Sequence, residues 1–261
     1  MINGTKIAQK IIRRLQRRKA PHKTLAAILV GSDSASLSFL RQKAFVAKQL
    51  GVSFYITTLP STLSQRVLEQ KIRHISKDEK IGGIIVQLPL PKKYNRIGVL
   101  NAIGIEKDID VLNGETSRVL APAAGALSEI FKEIKFYPKG KRAVIIGSGL
   151  LVGQPVTQWL MHQTKQLTIL NRGALDSKVL READVIISGT GVPHLVRGSY
   201  IKKNAVVIDY GYGKLRRKLY GDIHIPSVSQ KTSWYTPTPG GTGPIVVAKL
   251  LENFFMLLDK R

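Results

Sequence analysis

The sequence predicts an α/β protein of two domains, each built on a parallel sheet. Three observations support this. Short β-branched runs bounded by Gly, Pro, Asn or Asp recur along the chain, as strands buried on both faces require. Stretches with apolar residues at helical spacing separate them. The alternation occurs twice, once before about residue 110 and again from Arg142.

The elements follow in order. The first half reads as helix Gly4–Arg17, strand Leu25–Val30, helix Ser34–Leu50, strand Ser53–Thr57, helix Leu63–Ser76 and strand Gly83–Val86. Ser34-Ala35-Ser36 supplies the small polar residues that open a helix. Leu112–Pro122 has mixed polarity and no period, so a domain junction belongs there. The second half reads as helix Ala124–Glu133, strand Arg142–Ile146, helix Gly153–Gln163, strand Gln166–Leu170, helix Ser177–Glu182, and strands Val185–Ser188 and Val206–Ile208. After a loop over Pro237–Pro244, the closing helix Pro244–Lys260 carries Ile245, Ala248, Leu251, Phe255 and Leu258 at helical spacing. The expected division is residues 1–118 with 244–261, the last helix returning to the first domain, against residues 119–243.

Composition narrows the function. The chain has 261 residues, 43% of them hydrophobic, so it can bury a sizeable core. It has no cysteine, which removes disulfides, thiolate nucleophiles and Cys-based zinc sites, and no metal is expected. Against 17 Asp and Glu stand 41 Lys and Arg, a net charge of +24. That excess fits nucleic acid, an anionic membrane surface, small anionic ligands, or only a basic proteome. The basic pairs, such as Arg13-Arg14 and Arg216-Arg217, are scattered and not interleaved with aromatics, so nucleic acid is not the expected partner. No window approaches the roughly 18 apolar residues of a membrane span. The start lacks a secretory leader pattern, and a cytoplasmic location is expected.

Arg142-Ala143-Val144-Ile145-Ile146 runs into Gly147-Ser148-Gly149-Leu150-Leu151-Val152-Gly153. Strand, glycine turn and helix in this order suit a dinucleotide pyrophosphate at a helix N-terminus. The spacing is one residue longer than the usual fingerprint, and a plain βα turn is the competing reading. The next strand ends at Leu170-Asn171-Arg172, where an acidic residue would favour NAD. Arg172 can instead take a 2′-phosphate, which favours NADP, with NAD as the alternative; a solvated arginine is the plainer reading. Gly189-Thr190-Gly191 and Asp209-Tyr210-Gly211 follow strands at the ends where open sheets collect ligands, and both also suit plain turns.

In the first half, Phe39 and Lys43 fall four apart on one helix face, where a lone lysine is usually just solvated. Gln87-Leu88-Pro89-Leu90-Pro91 places an amide among stiff prolines after a buried strand, or is a plain structural strand exit. Lys107-Asp108-Ile109-Asp110 adds two carboxylates, or else forms an exposed loop with a local ion pair. With Ile28–Ser36, Val152-Gly153-Gln154-Pro155 and Thr236-Pro237-Thr238-Pro239-Gly240-Gly241-Thr242-Gly243-Pro244, these segments closely resemble the bifunctional methylenetetrahydrofolate dehydrogenase/methenyltetrahydrofolate cyclohydrolase family. The resemblance covers nearly the whole chain, and the QLPLP and TPxPGGxGP segments are its most specific marks.

The resemblance implies an N-terminal catalytic domain and a Rossmann-like NAD(P)-binding domain. It implies oxidation of methylenetetrahydrofolate with NADP, then hydrolysis of the methenyl product to formyltetrahydrofolate, in one cleft. Lys43 matches the family's proton-handling lysine, Gln87 the glutamine that orients it, and Asp110 the carboxylate that binds the pterin. Phe39, Pro89, Gly241, Gly243 and Pro244 match the folate surroundings. Gly147, Ser148, Gly149, Val152, Gly153, Asn171, Arg172, Gly189, Thr190, Gly191, Asp209 and Gly211 are the expected cofactor contacts. A homodimer is implied as well.

The chain departs from the family pattern at several positions. Phe39 stands for a usual tyrosine, Val111 for a usual glycine, Leu120–Gly125 for P-C-T-P-x-G, and Ser148-Gly149 for Arg-Ser. Two other readings follow: a dehydrogenase with a weakened hydrolytic step, or a non-catalytic basic binding protein on the same fold.

Overall fold

The structure is a computed structural model and describes residues 1–113, 117–215 and 218–259. The pair Arg216-Arg217, Lys260 at the end of the expected last helix, and residues 114–116 of the expected junction lie outside them. The chain divides into two compact units. One holds Lys10–Pro122 and Val247–Arg261, the other Met1–Gln9 and Ala123–Val246.

The first unit follows helix α1 (Gly4–Gln16), whose residues from Lys10 onward belong to it. It continues through β1 (Thr24–Val30), α2 (Ser34–Gln49), β2 (Phe54–Leu59), α3 (Gln65–Lys77), β3 (Ile81–Val86) and the short α4 (Arg96–Leu100). The three strands are parallel in the order β2-β1-β3. All six residues of β3 and six of the seven in β1 are buried, which is why both read as unbroken apolar runs. Because β1 lies between its two successors, the chain reverses its winding between β1 and β3, and ligands collect at such a point.

The second unit runs α5 (Pro122–Glu133), β4 (Arg142–Ile146), α6 (Gly153–Leu160), β5 (Gln166–Leu170), α7 (Ser177–Glu182), β6 (Val185–Ser188) and β7 (Val206–Asp209). A hairpin of β8 (Gly213–Leu215) and β9 (Lys218–Tyr220) follows, then α8 (Ile225–Val228), β10 (Trp234–Tyr235) and the start of α9 (Thr242–Leu258), whose residues from Val247 onward belong to the first unit. Five parallel strands lie in the order β10-β7-β6-β4-β5, a doubly wound pattern with its reversal between β4 and β6. Val144, Ile146, Ile186 and Val207 form the core with Leu180 and Val228.

Some boundaries differ from expectation. Helix α6 stops at Leu160, short of Gln163, because Met161 turns to ψ 131°. The last helix begins at Thr242, so Gly243 and Pro244 lie in its first turn and not in a loop. Proline fits there because a first-turn N–H has no helical partner to lose. Asp33, ahead of the expected Ser34, caps α2 by accepting the Ser36 N–H at 2.7 Å.

Candidate active site

In the first unit the chemistry gathers at the reversal point. Helix α2 leaves β1 and presents Phe39 and Lys43 on one face, both half-buried. Gln87 follows β3 directly and is anchored to β1, its N–H donating to the Ile28 carbonyl at 2.9 Å. Lys43 Nζ donates to Gln87 Oε1 at 3.2 Å, and Gln87 Nε2 donates to the Leu88 carbonyl at 2.6 Å. The glutamine is therefore fixed at both ends of its amide, and its oxygen is aimed at the lysine. The Leu88–Pro89 peptide is cis, and Pro89 is exposed.

Charge is tuned here. Burial pushes the Lys43 ammonium below its ordinary range, while nearby Asp110 pulls it partly back. Burial also raises the Asp110 carboxyl, with Lys43 opposing the rise. Asp108 is 1% exposed and its carboxyl is pushed up to about 6, chiefly by burial. The 107–110 segment is thus no exposed, ion-paired loop. Lys107 Nζ donates to the Ser76 and Asp78 carbonyls at 2.6 and 2.8 Å.

The second unit brings two glycine loops together at its own reversal point. Gly147 has φ +98° and follows β4, and its N–H donates to the Leu170 carbonyl at 2.8 Å. A Cβ on Gly153 would lie 2.0 Å from the Gly147 carbonyl oxygen, so helix α6 can start this close to the turn only with glycine. Val152 caps α6 without a side-chain hydrogen bond. Gly189, after β6, lies against Val152, and Gly191 has φ +72°. At the end of β5, Ser148 Oγ donates to Asn171 Oδ1 at 3.1 Å, tying the glycine loop to the next strand, and Arg172 is exposed. These features fit a dinucleotide: close backbone approach, a helix start beside it, and an exposed arginine after β5.

Asp209 turns inward. Its Oδ1 accepts the N–H groups of Gly211 and Asp222 at 2.7 and 3.1 Å, and Oδ2 accepts that of Ile223 at 3.0 Å. Burial and the neighbouring Asp222 push its carboxyl up to about 7. Asp222, which the sequence reading passed over, accepts Ser188 Oγ at 2.6 Å and the Thr190 N–H at 2.7 Å. This buried pair fixes the turns after β6 and β7. Its only signal in the sequence is an acidic residue beside the apolar Ile223. Gly241 is buried, Gly243 is exposed, and Thr242 Oγ1 donates to the Asp209 carbonyl at 2.7 Å.

A cavity of about 370 Å³ in this unit lies elsewhere. Lys141, Asp184 and Asn204 line it, and they precede β4, β6 and β7. A second, of about 250 Å³, is lined by His194, Asp209, Tyr220, His224 and Thr238.

Residues 2–110 match the tetrahydrofolate dehydrogenase/cyclohydrolase catalytic domain, and residues 121–261 match the NAD(P)-binding domain of the same family. The chain belongs to the tetrahydrofolate dehydrogenase/cyclohydrolase family. It is 37% identical to the bifunctional protein FolD of Moorella thermoacetica over 240 residues, covering 88% of this chain and 85% of that one. It is 32% identical to FolD of a Nitratiruptor species across 100% of this chain and 98% of that one. Among solved structures, FolD of Campylobacter jejuni superposes with a TM-score of 0.91 at 30% identity, covering 98% and 96% of the two chains. The Trypanosoma brucei enzyme, solved with NADP and an inhibitor, gives 0.90 at 27% identity over the same shares. The family carries both a dehydrogenase and a cyclohydrolase activity, and this chain is an enzyme of that type, using NADP. Among the described residues, no helix is long and apolar enough to cross a membrane.

Proposed function

We propose that Lys43, Gln87 and Asp110 form the working set for both reactions on a bound folate. The observation that carries this is the Lys43–Gln87 hydrogen bond beside Asp110, at the sheet's reversal point. Asp110 offers two acceptor oxygens to the amino-pyrimidine edge of the pterin. Phe39 offers a ring face, and Pro89 is a further folate contact.

In the first reaction the methylene carbon gives up a hydride and becomes a methenyl cation shared between two nitrogens. Bound NADP supplies the nicotinamide that takes the hydride. In the second, water adds to that carbon and gives its proton to neutral Lys43. One C–N bond then breaks, and its nitrogen receives a proton from the resulting ammonium. Burial of Lys43 shifts its ammonium toward the neutral amine that this exchange uses. Gln87 holds Nζ in line for both transfers.

Gly147, Ser148, Gly149, Val152 and Gly153 take the pyrophosphate, and Asn171 and Arg172 the ribose, with Arg172 on the 2′-phosphate. Gly189, Thr190, Gly191 and Gly211 border the dinucleotide, and Asp209 shapes the turn beneath it. A cytoplasmic homodimer goes with this reading: β5 is an edge strand that leaves Ile169 46% exposed, as an unpaired edge awaiting a second copy would. A spectrophotometric assay of methenyl formation and decay, run with NADP and NAD in parallel, tests the proposal. Formation followed by decay with NADP supports it, and no formation with either cofactor overturns it.

A further inference from the structure

The turn that carries Asp110 is held from two directions. Asp108 Oδ2 accepts the N–H groups of Leu112 and Asn113 at 2.7 and 2.8 Å. Both bonds reach across Asp110 and close residues 108–113 into one turn. From the other side comes Asn253, near the end of α9 and 2% exposed. Its Nδ2 donates to the Ile109 carbonyl at 2.9 Å and to the Leu120 carbonyl at 2.8 Å. One buried amide thus grips the residue just before Asp110 and the far end of the same segment.

Within this turn Val111 has φ +58°. A β-branched residue in the left-handed region is a steric outlier that persists only where its surroundings hold it. Left to itself, the turn would relax away from positive φ and carry Asp110 with it. Asp108 is also an expensive residue to keep. Its Oδ1 is buried with no hydrogen-bond partner among the described residues, and burial raises its carboxyl to about 6. A buried group with an unmet acceptor is poorly explained by stability alone. Asp108 further pairs along β3 through an isolated bridge to Ile84, which fixes the turn relative to the strand that delivers Gln87.

We propose that Asp108 and Asn253 are positioning residues: they hold the strained turn at Val111 and so fix the Asp110 carboxylate for the pterin. The inference rests on the reading of Asp110 as the pterin-binding residue. Neither residue touches the folate; each acts through the backbone around Asp110.

The test uses the full-length enzyme with Asp108→Ala, Asp108→Asn and Asn253→Leu, each also combined with Val111→Gly, and Asp110→Ala as reference. Asp108→Ala and Asn253→Leu are expected to raise KM for methylenetetrahydrofolate roughly tenfold, with KM for NADP within about twofold. Asp108→Asn is expected to stay near the parent, because its amide oxygen can accept the same two N–H groups. Val111→Gly is expected to recover most of the loss, since glycine takes positive φ without strain. The proposal is overturned if both KM values rise together as folded protein is lost, if Val111→Gly recovers nothing, or if Asp108→Asn is as poor as Asp108→Ala. If Asp110→Ala raises the folate KM and Asp108→Ala and Asn253→Leu do not, the inference alone fails. If Asp110→Ala leaves the folate KM unchanged, the reading of Asp110 fails, and the inference with it.

Discussion

Lys43 on α2 donates to Gln87 at the end of β3 across 44 positions of sequence, at 3.2 Å. The bond exists because β1 and β3 are neighbours, so the helix that follows β1 overhangs the residue that follows β3. A small parallel sheet thereby sets an amine against an amide, and burial disfavours the ammonium form of that amine.

Gly153→Ala tests the glycine turn. The new methyl would sit 2.0 Å from the Gly147 carbonyl oxygen, which is backbone and cannot swing aside. KM for NADP is expected to rise at least roughly tenfold, with KM for the folate within about twofold. Steady-state kinetics with each substrate varied separates the two, and an unchanged KM for NADP would contradict the placement of the pyrophosphate.

Arg172→Ala tests the 2′-phosphate contact. The side chain is exposed at the end of β5, beside the Ser148–Asn171 bond. Affinity for NADP is expected to fall roughly tenfold, as for loss of one charge-assisted phosphate contact, and that for NAD by less than about twofold. Equal losses in titrations of both cofactors would remove Arg172 from this role.

Asp222→Asn tests the buried carboxyl pair through the pH dependence of stability. The native carboxyl of Asp209 is raised to about 7, whereas an unfolded aspartate titrates near 3.9. Between these values the native state holds the extra proton, so stability falls as pH rises, by up to about 1.4 kcal/mol per pH unit for one proton. Removing the Asp222 charge lowers the native value of Asp209, and the fall should then end at lower pH. Denaturant unfolding of both proteins from pH 4 to 8 reads this directly. Superimposable slopes would refute the coupling.

The fold was legible in the short apolar runs, whether buried throughout as in β6 or half-exposed as in β5. Strands β4, β5 and β6 stand at their expected boundaries, because parallel strands between helices are written as short apolar runs. The hairpin of β8 and β9 was missed: its strands are three residues each and flank two arginines, so no apolar alternation marks them. Helix α4, at five residues, is too short to show a period, and β10 is only Trp234–Tyr235.

The site divided the same way. The glycine turn after β4 was readable locally, since strand, turn and helix are contiguous. Lys43 by itself is one lysine among many on helices. It became a candidate through the resemblance, and its partner lies on another element. Asp222 and Asn253 left no pattern, because they bond to groups 32 to 144 positions away, several of them backbone N–H or carbonyl groups that any residue carries.

The central claim is that Lys43 moves the protons of the hydrolytic step. Lys43→Met, assayed for methenyltetrahydrofolate decay and for NADP binding on the same preparation, tests it most directly. Hydrolysis should fall by roughly a hundredfold or more, the share general acid–base catalysis supplies, with NADP affinity within about twofold of the parent. Hydrolysis at the parental rate in that variant would contradict the assignment.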